Sequence, residues 1–149
     1  MKTAILLPFI SLLWTSCSEN NPLATQKCSP STICTEELRT LSMRVIYPDS
    51  TPVALDDFQV LLLPEGKDIT WSKSQESMKW FRNNGNYPII GDTYQEYFPR
   101  NVPIHLLFKG YQGGQVVVST EVFTTFDCCH VAWISGKRVL VVEPGEKKQ

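Results

Sequence analysis

The sequence predicts an all-β fold, an antiparallel β-sandwich of about seven or eight short strands. Three observations lead there. Apolar residues recur with period two in several segments, clusters of Gly, Pro, Asn and Asp interrupt them at short intervals, and no stretch carries a sustained helical period. An open barrel is the alternative closure, and the strand order stays open at this point. Of the 149 residues, a leader and a tail leave roughly 110 for folding, enough for one core.

From Leu38 onward Leu41, Met43, Val45 and Tyr47 alternate with Ser42, Arg44 and Ile46, the pattern of a strand with one buried face. Pro48-Asp49-Ser50-Thr51-Pro52 ends it, because proline removes a ladder donor and Asp and Ser favour turns. Residues 58–63 are apolar at nearly every position and read as a central strand covered on both faces. Pro64-Glu65-Gly66-Lys67 turns the chain, and residues 69–72 form a short returning strand. Residues 72–86 are expected to be a long loop. Met78, Trp80 and Phe81 offer at most a helical turn or two before Arg82-Asn83-Asn84-Gly85-Asn86, which is turn chemistry.

Strands resume at residues 87–90 and 94–98, separated by Gly91-Asp92, and again at 104–108 after Pro99 and Pro103. Gly110-Tyr111-Gln112-Gly113-Gly114 is a hairpin link into residues 115–126, where Val116, Val118, Thr120 and Val122 alternate. A last hairpin pairs residues 128–134 with 138–142 through Ser135-Gly136-Lys137, and residues 144–149 read as a frayed tail.

Five cysteines punctuate this pattern, at positions 17, 28, 34, 128 and 129. Adjacent cysteines pair poorly, since neighbouring Cα atoms lie about 3.8 Å apart and a disulfide wants about 4.4–6.8 Å. Cys28 and Cys34 are therefore expected to bond Cys128 and Cys129, one each, with the connectivity open. Such bridges would each close a loop of roughly 100 residues, worth about 4–5 kcal/mol by chain entropy and not additive. Two rivals stand beside this. Cys28 could bond Cys34, leaving Cys128-Cys129 as a vicinal disulfide or redox dithiol. Alternatively, Cys28, Cys34, Cys128 or Cys129 with His130 could hold zinc, although the Cys-x5-Cys and Cys-Cys-His spacings are not knuckle spacings and exported thiols are normally oxidised.

Around the cysteine pair, strand parity puts Cys128 and His130 on one face, and Asp127 and Cys129 on the other. A Cys-His dyad fits that parity, but no oxyanion loop accompanies it, so no catalytic residue, metal or cofactor is assigned. His130 reads as a partly exposed strand residue, Asp127 as a turn carboxylate accepting backbone hydrogen bonds, and His105 as a solvent-facing strand residue. The aromatics are the other candidate site. Trp71, Trp80, Phe81, Tyr87, Tyr94, Tyr97 and Phe98 fall in one third of the chain among Asn83, Asn84, Asn86 and Asp92, a mixture suited to contact with a glycan or peptide, and of these Trp71, Trp80, Tyr87, Tyr94 and Tyr97 are the candidate contacts.

The N-terminus carries the address. Lys2 precedes an apolar run over residues 4–14, about 11 residues long where a bilayer span needs about 20, so it reads as a secretory leader. Leu13-Trp14-Thr15-Ser16-Cys17 resembles the lipobox of bacterial lipoproteins, with Trp14 where the pattern usually has an aliphatic residue, and Ser18-Glu19 is similar to the surface-export signal of the Bacteroidetes type. That resemblance implies cleavage after residue 16 and a diacylglycerol on Cys17. Residues 17–33 then form the lipidated N-terminus and tether, reaching about 20 Å, ahead of a domain at 34–143. Lipidation also leaves an even four cysteines to pair in an oxidising compartment. Gly85-Asn86-Tyr87-Pro88-Ile89 and Phe108-Lys109-Gly110-Tyr111 resemble carboxypeptidase-regulatory-like modules, which implies an Ig-like or transthyretin-like sandwich. Asp127-Cys128-Cys129-His130-Val131 with Ser135-Gly136 is similar to a recurring set of small Bacteroidetes lipoproteins.

A net charge of −1, falling to −2 with 13 basic and 15 acidic residues once the leader and its Lys2 are removed, gives no footprint for nucleic acid. The expectation is a lipid-anchored module of the bacterial outer membrane or cell surface. Its partners are the membrane, through the lipid, and a peptide, glycan or envelope protein. An exported thiol–disulfide protein using Cys128-Cys129 and a purely structural envelope protein are the alternatives.

Overall fold

The computed structural model describes residues 28–143; Cys17 and the leader lie outside them. Eight strands form two sheets facing one core, as the sandwich expectation requires. The smaller sheet has the order β4-β1-β8, with β1 at Thr40–Ile46, β4 at Asn86–Gly91 and β8 at Val139–Val141. The larger runs β3-β2-β5-β6-β7, from Lys67–Asp68, Asp57–Leu62, Ile104–Gln112, Gln115–Phe126 and Val131–Ser135. Every pairing is antiparallel except β1 with β8, which run parallel with Val45 opposite Leu140.

The alternation in β1 works as its sequence implies, with Met43 and Val45 fully buried. They meet Phe58, Val60, Leu106, Phe108 and Val122 from the other sheet. The centre is aromatic. Phe58 lies 5.5 Å from Tyr87 and 6.1 Å from Phe108, ring centre to ring centre. Pro88 is tolerated in β4 because that strand is a sheet edge, where a missing donor breaks no ladder, and β4 bulges beside it, with Ile89 as the extra residue opposite the Leu41–Ser42 step of β1. In the β5–β6 hairpin the turn narrows to Gly113-Gly114, with φ of 57° and 75°, the left-handed pair that a two-residue primed turn needs.

Five expectations change. The short returning strand falls at Lys67–Asp68, inside the expected turn, and residues 69–72 are not a strand. Residues 72–86 hold a helix, α1 at Gln75–Asn84, rather than a long loop. Ser74 caps it by accepting from the Ser77 amide while the Ser77 hydroxyl accepts from the Ser74 amide, a serine version of the capping box. Its apolar side presents Met78 and Phe81, and the latter meets Phe58 edge-on at 5.9 Å. Residues 94–98 are not a strand, since a 3-10 helix occupies Asp92–Tyr97. Residues 58–63 are not covered on both faces: Phe58 and Val60 are buried while Gln59 and Leu61 are half-buried beside the two-residue β3. Finally, β7 and β8 make no hairpin, because the chain leaves β7 and crosses to the other sheet, where β8 joins β1.

Gly85 stops α1 with φ 65°, its amide donating to the Phe81 carbonyl. A Cβ there would sit 2.6 Å from the Val45 carbonyl oxygen, a backbone atom that cannot move aside. Gly85→Ala is therefore expected to lose about 1–3 kcal/mol from left-handed strain and more from the clash, measured as a lower denaturant midpoint with unchanged slope.

Candidate functional site

Two structures share the 3-10 helix at Asp92–Tyr97: a stapled knot on one side and an aromatic cleft on the other. The knot begins with disulfides Cys28–Cys128 and Cys34–Cys129, with Cα separations of 5.4 and 5.2 Å. Both sulfurs of the adjacent pair are thus spent on the chain segment ahead of β1, which overturns the vicinal-disulfide, dithiol and zinc rivals. Cys128 and Cys129 sit in the turn before β7 rather than in a strand. Asp127 shapes that turn, its Oδ1 accepting from the amides of Cys129 and His130, both at 2.7 Å. Arg100 donates to the Asp127 carbonyl at 3.1 Å and to that of Cys128, fastening the same turn from outside.

His130 is not the partly exposed residue that its position implies. Its side chain is 8% exposed, and it meets Asp92, 5% exposed, with Nδ1 2.8 Å from Oδ2. Asp92 also accepts from the amide of Arg39 at 2.8 Å and that of Val131 at 2.6 Å. Burial pushes its carboxyl upward, but these bonds from Arg39, His130 and Val131 outweigh burial and hold it below its ordinary value. An ionised Asp92 only accepts, so Nδ1 carries the hydrogen. In the neutral imidazole Nε2 then accepts from the Thr35 hydroxyl, 2.9 Å away.

Hydroxyl, imidazole and carboxylate thus stand in the order of an activated-nucleophile relay. The same groups tie the turn before β7 to the segment ahead of β1 and to the 3-10 helix. The amides of Arg39, Cys129, His130 and Val131 are all spent on Asp92 or Asp127, so none of these four remains to hold an oxyanion. The Cys-His dyad fails too, with Cys128 bonded to Cys28. His105, on β5, meets Glu121 at 2.7 Å on the outer face of its sheet.

On the other side of the helix lies a cleft of about 580 Å³. Trp71, Tyr94 and Tyr97 form its aromatic wall, with Trp71 to Tyr94 at 6.2 Å and Tyr94 to Tyr97 at 6.3 Å between ring centres, and Phe98, stacked on Phe126 of the core, also lines it. Tyr94 is anchored by its hydroxyl, which donates to the Ile69 carbonyl at 3.0 Å, and burial raises its phenol above the ordinary value. Tyr97 is 77% exposed. Gly91 makes room for the wall, since a Cβ there would come within 3.0 Å of the Trp71 ring. Lys67 and Asp68 form the rim. Desolvation would raise the Asp68 carboxyl, but hydrogen bonds from the Thr70 hydroxyl and amide win and lower it, so it is ionised at neutral pH.

Of the five aromatics expected to touch a ligand, three converge here. Trp80 is 56% exposed on α1, against Phe81 and away from the cleft. Tyr87 is a correction: it is fully buried, its hydroxyl donating to the Val53 carbonyl at 2.6 Å and accepting from the Leu55 amide at 2.8 Å. The sequence reading missed Thr35 and Asp92 as partners of His130, and Lys67, Asp68 and Thr93 as cleft residues. A larger concavity of about 970 Å³ beside β8 carries one aromatic ring, Tyr47, and two carboxylates, Glu143 and Asp49, the latter bound to Thr51. No protein family, curated protein or solved structure matches this chain.

Proposed function

We propose that the chain is an exported lipoprotein of the bacterial envelope, anchored through Cys17, whose sandwich acts as a non-catalytic binding module. The observation that carries this reading is the cleft: four aromatic residues, Trp71, Tyr94, Tyr97 and Phe98, beside ionisable and hydroxyl groups, of a size suited to a small ligand segment. The address draws on the leader and the lipobox-like Leu13-Trp14-Thr15-Ser16-Cys17. It also draws on two disulfides, which persist in oxidising compartments and consume every cysteine except Cys17. A thiol–disulfide activity loses its dithiol, because Cys128 and Cys129 serve separate bridges.

The anchor is tested by Cys17→Ala. Expressed in a bacterial host, the wild type is expected in the detergent phase of a Triton X-114 partition and the variant in the aqueous phase. A variant that stays with the detergent phase would remove the lipid from the proposal. The module itself is tested by ligand binding at the cleft, as follows.

A further inference from the structure

Resting on the reading of the cleft as the binding site, we infer that its ligand is a soluble, neutral oligosaccharide chain rather than a peptide, a polyanion or a crystalline polysaccharide surface. The first reason is hydrogen-bonding stock. Among the described residues the Trp71 indole N–H, the Ser72, Thr93 and Tyr97 hydroxyls and the Lys67 ammonium have no protein partner, and all line the cleft. The Asp68 Oδ2 is engaged only by Gln59, at 3.4 Å. Many donors with one open carboxylate oxygen, set around apolar ring faces, match a ligand whose ring faces are apolar and whose rim is hydroxyl on every side.

The second reason is the edge next to the cleft. A peptide adding to a sheet needs a run of free backbone donors and acceptors, and the edge strand here, β3, is two residues long. The Thr70 amide beyond it is already turned onto Asp68. Charge supplies the third. Lys67 and Asp68 put one positive and one negative head on the rim, so a polyanionic chain would meet a carboxylate wherever it met the ammonium.

Ring geometry decides between a chain and a surface. A flat crystalline face is gripped by coplanar rings, whereas Trp71 and Tyr94 are inclined by 57° and Tyr94 and Tyr97 by 60°. With spacings of 6.2 and 6.3 Å, on the scale of one sugar residue, the wall bends around a single twisted chain.

Affinity electrophoresis of the folded, oxidised protein tests this, with amylopectin, laminarin, xyloglucan or mannan in the gel, polygalacturonate as the polyanion, and a pull-down on microcrystalline cellulose. The expected result is retardation by at least one neutral soluble polysaccharide, no retention on cellulose and no gain on polygalacturonate. Trp71→Ala and Tyr97→Ala should each weaken the retardation about tenfold. Tyr97, being exposed, is the variant that leaves folding intact, and unchanged thermal unfolding confirms it. Retention on cellulose, or stronger retardation by polygalacturonate than by any neutral chain, overturns the ligand class. So does the absence of retardation in all four neutral gels. If a proline-rich peptide then quenches tryptophan fluorescence in the wild type but not in Trp71→Ala, the cleft is still a binding site and only the glycan inference has failed. If retardation occurs and survives both substitutions, the cleft reading itself has failed.

Discussion

Removing both disulfides is expected to cost about 7 kcal/mol, whereas removing either alone costs only about 2 kcal/mol. The asymmetry follows from the bridges running side by side, with sequence separations of 100 and 95. The first to form closes a large loop in the unfolded chain, worth about 4–5 kcal/mol on the chain-entropy account; the second closes only the small ring between Cys28, Cys34, Cys128 and Cys129, worth about 2 kcal/mol. Either bridge can serve as the first. Equilibrium urea unfolding of Cys28→Ser with Cys128→Ser, of Cys34→Ser with Cys129→Ser, and of the quadruple variant forms a cycle whose coupling measures the shared loop. Single-bridge losses that each approach the quadruple loss would show that the cost lies in local packing at the turn instead. At the expected value the quadruple variant loses about as much as a small domain's whole stability and should be unfolded without denaturant.

Asp92→Ala is the second large effect, a loss of about 3–5 kcal/mol, because it strands an imidazole and two backbone amides around a site that is 5% exposed. Its acid dependence has a definite sign. A carboxyl whose folded pKa is depressed contributes stability that is present above the unfolded value, near 4, and is lost as pH falls through the folded value. Asp127 acts in the same direction: burial raises it, and the hydrogen bonds from His130 and Cys129 outweigh that and lower it. The melting temperature should therefore hold between pH 7 and about 5 and drop below about 4, with a shallower drop in Asp92→Asn. An acid limb identical in Asp92→Asn and wild type would mean that Asp92 is not the linked group.

The architecture was legible where side-chain period reports burial. Met43 and Val45 alternate as a one-faced strand should, and Gly113-Gly114 marks a turn that few other residues could make. The helix was hidden because its start uses Ser77 where a capping box usually has Glu or Gln, and its end, Gly85, reads equally well as a turn. Ser74 three residues before Ser77, with Gly85 closing ten residues of tolerable helix formers, was the available signal. The 3-10 helix was mistaken for a strand because Tyr94, Tyr97 and Phe98 are strand-forming types whose spacing is too short to show a period.

For the site, composition picked out Trp71, Tyr94 and Tyr97 but could not separate them from Tyr87, an equally aromatic residue with its polar end satisfied inside the core. Cysteine geometry required bridges across the domain without choosing a partner for either neighbour. The burial of His130 had no local sign, since its partner Asp92 is 38 residues away and the two meet only once the sheets have closed.

The staple also determines how the molecule carries load. Tension applied to the chain upstream of Cys28 passes through a covalent bond directly to Cys128, bypassing β1 to β6. Pulled between its upstream segment and Glu143, the domain can lengthen only over the roughly 15 residues from Cys128 onward, about 50 Å when fully drawn out. Everything within the 100-residue loop stays mechanically silent, including the cleft, so a pull on the chain upstream of Cys28 can strip β7 and β8 away while the aromatic wall keeps its shape.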